Sequence, residues 1–165
     1  MGRSAPSKPH ASAPSGNYVD ALLTSSRALV AVSARSLAVI DEDVTLSQYR
    51  ALVVLGKHGP TNVGTLADSL GIHPSTATRL CDRLLRKRLI ERDQSPSNRR
   101  EVTVSLSLDG ALLLKAVTRR RRAELAKIAR RIPPEVRRDL VRALEVFAEA
   151  AGEVPDDAWK IGWSS

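Results

Sequence analysis

Apolar and polar positions change period several times along the chain, and those changes divide it. From Asn17 to Ile40, Val19, Leu22, Leu29, Val30, Leu37 and Ile40 keep a helical stripe, with Ser26 and Ser33 as small residues within it. Asp41 to Val44 breaks the stripe. Thr45 with Gln48 makes a capping-box pattern, so a second helix follows from Leu46 to Leu55, its apolar positions being Leu46, Tyr49, Leu52, Val53 and Leu55. Gly56 to Pro60 reads as a turn. Thr61 or Asn62 caps a short third helix, Val63 to Leu70, stopped by Gly71. Pro74 then opens a fourth helix at a first-turn position where its missing N–H is harmless, which leaves His73 at the N-cap.

The fourth helix, Pro74 to Arg88, is two-faced. Ala77, Leu80, Cys81, Leu84 and Leu85 collect on one side; Ser75, Arg79, Asp82 and Arg86 fall opposite, flanked by Thr76, Thr78 and Arg83. The period then switches to two. Val102, Val104, Leu106 and Leu108 alternate with Thr103, Ser105 and Ser107 as a half-buried strand, Leu89 to Arg92 reads as its partner, and Asp93 to Arg100 is the polar tip between them. Two short helices separated by Gly71-Ile72-His73 have helix-turn-helix spacing, and a strand pair with a basic tip after them reads as a wing. A long helix from Asp109 to about Ile132 carries Leu113, Leu114, Val117, Leu125 and Ile128, interrupted by Arg121. Pro133-Pro134 ends it, and a last helix, Glu135 to Ala151, repeats the stripe through Val136, Leu140, Leu144, Phe147 and Ala151. The expected fold is mainly α with a small β-wing.

Composition narrows the partners. The 165 residues suffice for one ordinary core. The formal charge is +8, and Arg supplies most of the cations, which suits planar forks for phosphates and guanine edges. Eight basic residues stand against three acidic ones between Arg79 and Arg100. A basic balance fits nucleic acid or an acidic membrane surface. A single Cys excludes an internal disulfide, no Cys/His cluster has zinc spacing, and neither a metal nor another cofactor is expected. No uninterrupted apolar run approaches a membrane span, so no membrane partner and a cytoplasmic location are expected. Residues 1–16, rich in Ser, Ala and Pro, read as a disordered arm.

Four segments together, LSQYRALVVLGKHGP, VGTLADSLGI, HPSTATRLCDRLLRKRLIER and SPSNRREVTVSLSLDG, resemble the MarR family of winged-helix transcription regulators. The likeness covers about residues 18–151. It implies a homodimer joined by residues 17–44 and 109–151, a winged helix-turn-helix lobe at 45–108, a palindromic operator and regulation by a small ligand or by oxidation. Residues 152–165 form a tail holding both tryptophans, Trp159 and Trp163. On this reading the chain is a DNA-binding regulator, expected to be a ligand-responsive repressor, with helix 74–88 in the major groove and wing 93–100 in the minor groove.

Arg79 points off the apolar floor and matches the family's Arg in this helix, so it is the candidate for a bidentate guanine contact. Ser75, Thr76 and Thr78 are near enough for base edges or phosphates, and Arg83 and Arg86 are candidate phosphate anchors. Arg99 and Arg100 match the paired arginines of the family's wing tip. The usual Asp-Pro-x-Asp-Arg-Arg is Ser95-Pro96-Ser97-Asn98-Arg99-Arg100 here, which leaves the tip more positive. Asp82 matches a family Asp that braces the wing, implying a contact to Arg99 or Arg100. The family's effector cavity implies walls on the first, second and fifth helices, with no ligand named.

Plainer readings stand beside these. Arg119 to Arg122 reads as a solvated face rather than a DNA contact, Cys81 as a buried structural thiol rather than a sensor. Trp159 and Trp163 suit burial against the dimer or a pocket rim better than base stacking. The alternative function is a winged-helix adaptor whose basic face binds an acidic protein. No Ser/His/Asp set or phosphate-cradling glycine loop supports an enzyme.

Overall fold

The computed structural model describes residues 16–94 and 102–153. In chain order the elements are α1 (Gly16–Ile40), α2 (Leu46–His58), β1 (Thr61–Asn62), α3 (Val63–Leu70), α4 (Pro74–Arg86), β2 (Ile90–Gln94), β3 (Val102–Leu106), α5 (Leu108–Ala129) and α6 (Pro134–Ala150). The chain divides into two compact units inside α1, at Ala31 and Val32. In the first, the α1 side chains Val19, Leu23, Leu29 and Val30 are exposed. The second holds the last turns of α1 and everything after them.

Local chemistry explains most boundaries. Thr45 Oγ1 accepts from Gln48 N at 3.2 Å while Gln48 Oε1 accepts from Thr45 N at 3.0 Å, closing the capping box expected there. Helix α2 then runs to His58, past the turn expected at Gly56. Gly56 is buried inside the helix, and the helix ends at Gly59, whose φ of 76° favours glycine. Of the two candidate caps for α3, Asn62 takes the role, its Oδ1 accepting from Thr65 N at 2.8 Å, and Gly71 closes the helix in the left-handed region. His73 caps α4, as its place before Pro74 implied, with Nδ1 accepting from Ser75 N at 3.3 Å.

Strand β3 lies between β1 and β2, antiparallel to both. Ile90 faces Leu106 and Arg92 faces Val104 on one side; Thr61 faces Val104 on the other. Two residues carry no readable period, which is why β1 has no signal in the sequence. The core of the second unit gathers Leu52 and Leu55 of α2, Leu66 of α3, Cys81 and Leu84 of α4, Val104 of β3, and Leu114 and Val117 of α5, all essentially sealed from solvent. Val32, Ser36 and Leu37 of α1 are also buried.

Helix α4 stops at Arg86, two residues short of expectation, because Arg88 turns left-handed with φ 57° and redirects the chain. Leu89 N returns to Leu84 O at 3.0 Å, and β2 starts only at Ile90. Beyond β3, Ser107 rather than a later residue begins α5. Its Oγ accepts from Gly110 N at 3.0 Å and donates to Arg88 O at 2.6 Å, while its N–H reaches Leu89 O at 3.2 Å. Gly110 is buried against that same carbonyl; a Cβ there would fall on the Leu89 carbonyl oxygen.

Helix α6 buries none of its residues, and Val136, Leu140, Val141, Leu144 and Phe147 are exposed. Its C-terminal turn closes through Gly152, with φ 70°. Of the arm, wing tip and tail expected, residues 1–15, 95–100 (with Arg99 and Arg100) and 154–165 lie outside the described residues; Gly16 opens α1, Asp93 and Gln94 extend β2 beyond the expected strand, and Gly152 and Glu153 close the end of α6.

Helix α1 has a further property that the run lengths do not reveal. Val19–Ile40 is long and apolar enough to cross a membrane by mean hydropathy, at 1.3, although no single apolar run is long. Ala, Val and Leu spread between Ser, Thr, Arg27 and Arg35 raise the average without forming a run.

Gly110→Ala should destabilise the fold by about 1–3 kcal/mol, since the added methyl must displace backbone rather than a flexible side chain. A thermal or urea melt unchanged from wild type would show that the Leu89 carbonyl can yield.

Candidate nucleic-acid interface

The outward side of α4 is set by what its inward side buries. Ala77, Leu80, Cys81 and Leu84 are buried, and that stripe leaves Ser75, Thr76, Thr78, Arg79, Asp82, Arg83 and Arg86 exposed. Not all of these side chains are equally free. Ser75 Oγ lies 2.9 Å from His73 Nδ1, so the cap also orients the first hydroxyl of the helix. Thr78 Oγ1 donates to Pro74 O at 3.0 Å, which leaves its oxygen as an acceptor facing outward. Arg86 Nε donates back to Asp82 O at 3.3 Å. Among the described residues Arg79 and Arg83 pair with no carboxylate. Two guanidinium groups without partners among the described residues, one turn apart on an exposed helix face, suit an anionic ligand.

Asp82 has a partner that the resemblance did not name. Its Oδ1 lies 3.4 Å from Nη2 of Arg92 on β2, at the base of the wing. Arg99 and Arg100 are outside the described residues, and so is the contact expected with them. Arg92 was missed because it is ten positions from Asp82 and only the left-handed turn at Arg88 brings β2 back along α4. Both side chains are about half exposed, 52% and 42%, so the pair is worth no more than about 1 kcal/mol. Its effect is orientation: it holds β2 against α4 and occupies the one acidic side chain on the helix's outward face.

Cys81 lies directly beneath this surface. Burial pushes its thiol above the ordinary value, opposed by nearby Arg92 and reinforced by Asp82. A sealed thiol kept protonated is a poor nucleophile.

A second polar site lies on α5, away from α4. Thr118, Arg121, Arg122 and Leu125 line a cavity of about 270 Å³. Thr118 Oγ1 and Arg121 Nε are buried without a hydrogen-bond partner among the described residues, as is Ser36 Oγ on α1. Arg121 Nη1 donates to the Tyr49 hydroxyl of α2 at 3.4 Å. The run Arg119 to Arg122 is therefore not a uniform solvated face: Arg120 pairs with Glu124 at 3.8 Å, and Arg121 turns inward. Lys127 also binds Glu124, at 2.7 Å, and that hydrogen bond chiefly holds the Glu124 carboxyl below its ordinary range. Among the described residues no three His, Cys, Asp or Glu side chains gather as a metal ion would require.

A two-faced helix following a Gly71 turn, backed by a three-stranded sheet and carrying unpaired arginines outward, defines a winged helix-turn-helix, the architecture of DNA-binding transcription regulators. Comparison with known proteins makes the assignment specific. The model of the MarR family matches residues 44–102. The HTH-type transcriptional regulator ML2140 of Mycobacterium leprae is 32% identical over 112 residues, spanning 68% of this chain and 78% of that protein. The HTH-type transcriptional repressor MdtR of Bacillus subtilis is 29% identical over 116 residues, 70% of this chain and 73% of its own. The crystal structure of RV1404 from Mycobacterium tuberculosis superposes with a TM-score of 0.82 at 46% identity, covering 88% of this chain and 99% of that one. The chain belongs to the MarR family and is a DNA-binding transcription regulator.

Because burial raises the Cys81 thiol in the folded state only, its contribution to stability is complete at neutral pH and below. That contribution falls away in the alkaline range, where the unfolded chain's thiol ionises first. The native protein should accordingly react with a disulfide reagent at mildly alkaline pH many times more slowly than the guanidinium-unfolded chain. Equal rates would place Cys81 at the surface.

Proposed function

We propose that the chain works as a homodimer that represses transcription from a palindromic operator and releases it when a small effector binds. The observation that carries this reading is the pair Arg79 and Arg83, exposed and without carboxylate partners among the described residues, on a helix whose other side is core. Arg79 is assigned to a guanine edge in the major groove. Ser75, Thr76 and Thr78 are assigned to base edges or phosphates, and Arg83 and Arg86 to phosphate anchoring. The wing residues Arg99 and Arg100 are assigned to the minor groove, with the Asp82–Arg92 pair orienting the wing's base.

The dimer is inferred from apolar surface that no described residue covers. Val136, Leu140, Leu144 and Phe147 of α6, and Val19 and Leu23 of α1, are exposed well beyond what single scattered apolar residues need. A two-fold axis through such helices would present two copies of α4 roughly 34 Å apart, matching successive major grooves. Covering α1 in this way also accounts for its membrane-like hydropathy, so the chain is assigned to the cytoplasm with its operator DNA. Repression is supported by the similarity to MdtR, which is named a repressor.

An effector is assigned to the cavity at Thr118 and Arg121. Buried donors without partners there and an apolar wall at Leu125 suit an amphipathic ligand with an acceptor group. Such a ligand shifts DNA binding only as far as it favours one spacing of the two lobes over another.

Fluorescence titration of the full chain against its selected duplex and scrambled DNA tests the reading. Log affinity should fall with log salt at roughly 0.9 per neutralised phosphate, with sequence preference retained. Arg79→Ala should lose about 1–3 kcal/mol of preference at one base pair per half-site, whereas Arg83→Ala should weaken all duplexes alike and lower the slope by about one. An Arg79→Ala chain with unaltered target choice would remove that residue from sequence reading.

A further inference from the structure

A groove on the second unit has no role in the reading above. Leu46, Ser47 and Arg50 of α2 form one wall, Leu70 of α3 and Ile72 of the connecting turn the other, and Leu80 of α4 the floor, enclosing about 340 Å³. Leu46 remains 40% exposed there. The groove is apolar except for Ser47 and Arg50, and its size is at the lower end for sites that take an organic group.

Arg50 also belongs to a second cluster. Its Nη1 pairs with Glu153 at 3.5 Å; Lys57 Nζ pairs with the same carboxylate at 3.6 Å and donates to Gly152 O at 2.7 Å. The Gly152 turn, with Gly152 N bound to Glu149 O and Glu153 N to Ala148 O, ends α6 beside α2. The chain therefore leaves the described structure at a residue held by the same guanidinium that lines the groove.

The twelve residues that follow, VPDDAWKIGWSS, suit this groove. Pro155 bars a continued helix and biases Val154 toward extended backbone. In an extended segment Trp159, Ile161 and Trp163 share one face, with Lys160 and Gly162 on the other. Asp156 and Asp157 precede that apolar face and are opposite in charge to Arg50 and Lys57. Six residues from Glu153 to Trp159 reach up to roughly 20 Å, whereas Leu46 is one helical turn, about 6 Å, along α2 from Arg50.

We propose that residues 154–165 fold back onto this groove, Trp159 and Trp163 covering Leu46, Leu70, Ile72 and Leu80, with Asp156 and Asp157 beside Arg50. The tail then fastens the end of α6 to the helix-turn-helix. This gives α6 a direct attachment to the turn before α4, independent of any DNA or effector.

Trp159 and Trp163 are the only tryptophans of the chain, so intrinsic fluorescence reports on the tail alone. In the full-length protein without DNA, emission should be blue-shifted and poorly quenched by acrylamide. Leu46→Glu puts a carboxylate into the groove at the first turn of α2, where helix geometry tolerates it. It should red-shift emission and raise the quenching constant several-fold while far-UV circular dichroism is unchanged. Arg50→Glu should do the same and the charge-keeping Arg50→Lys should not, which keeps the test decisive if Leu46→Glu does not fold. Water-exposed tryptophans in the wild type would overturn the proposal. So would shielded tryptophans that none of these variants exposes, which would assign them to an interface between copies of the chain.

Discussion

One backbone contact settles where α4 stops and where everything after it goes. The Leu89 carbonyl sits against Gly110, Ser107 reaches both that carbonyl and Arg88 O, and Arg88 adopts a left-handed turn to make the approach possible. A left-handed non-glycine residue is unfavourable by itself. Here it is held by hydrogen bonds on both sides, so α4, β2 and the start of α5 share a single rigid junction. Strand β2 runs back along α4 because of that turn, and only then does Arg92 meet Asp82.

The charge distribution of α4 follows from the same geometry. Asp82, its one outward carboxylate, is occupied by Arg92 rather than by Arg79 or Arg83. An exposed ion pair adds little stability, but it withdraws the negative charge from the arginines that face solvent. Arg79 and Arg83 are left without carboxylate partners among the described residues, and Cys81 beneath stays a neutral packing group because burial disfavours its thiolate.

The terminal helices obey a different constraint. Helix α6 buries nothing, and the described part of the first unit exposes Val19, Leu23, Leu29 and Val30. Apolar stripes of that length are stable in water only when another surface covers them, by roughly 25 cal/mol for each Å² removed from solvent. The polar cluster at the end of α6, Glu153 with Arg50 and Lys57, ties that helix to α2 by charge and a cap rather than by packing.

Sequence by itself determined the elements whose information is local. The capping box at Thr45, Gly71 as a left-handed stop, His73-Pro74 opening α4, and the two faces of that helix were all legible, because period and capping act within a few residues. So were the candidate DNA-facing residues Ser75, Thr76, Thr78, Arg79, Arg83 and Arg86, whose exposure follows from helical period alone. Tertiary structure decided what depends on residues far apart in the chain. It paired the two-residue β1 with β3, carried α2 through Gly56, chose Arg92 as the partner of Asp82, and turned Arg121 inward to Tyr49. None of these has a local signature: each needs two segments brought together by the core, and the energy that selects them resides in that packing rather than in either segment.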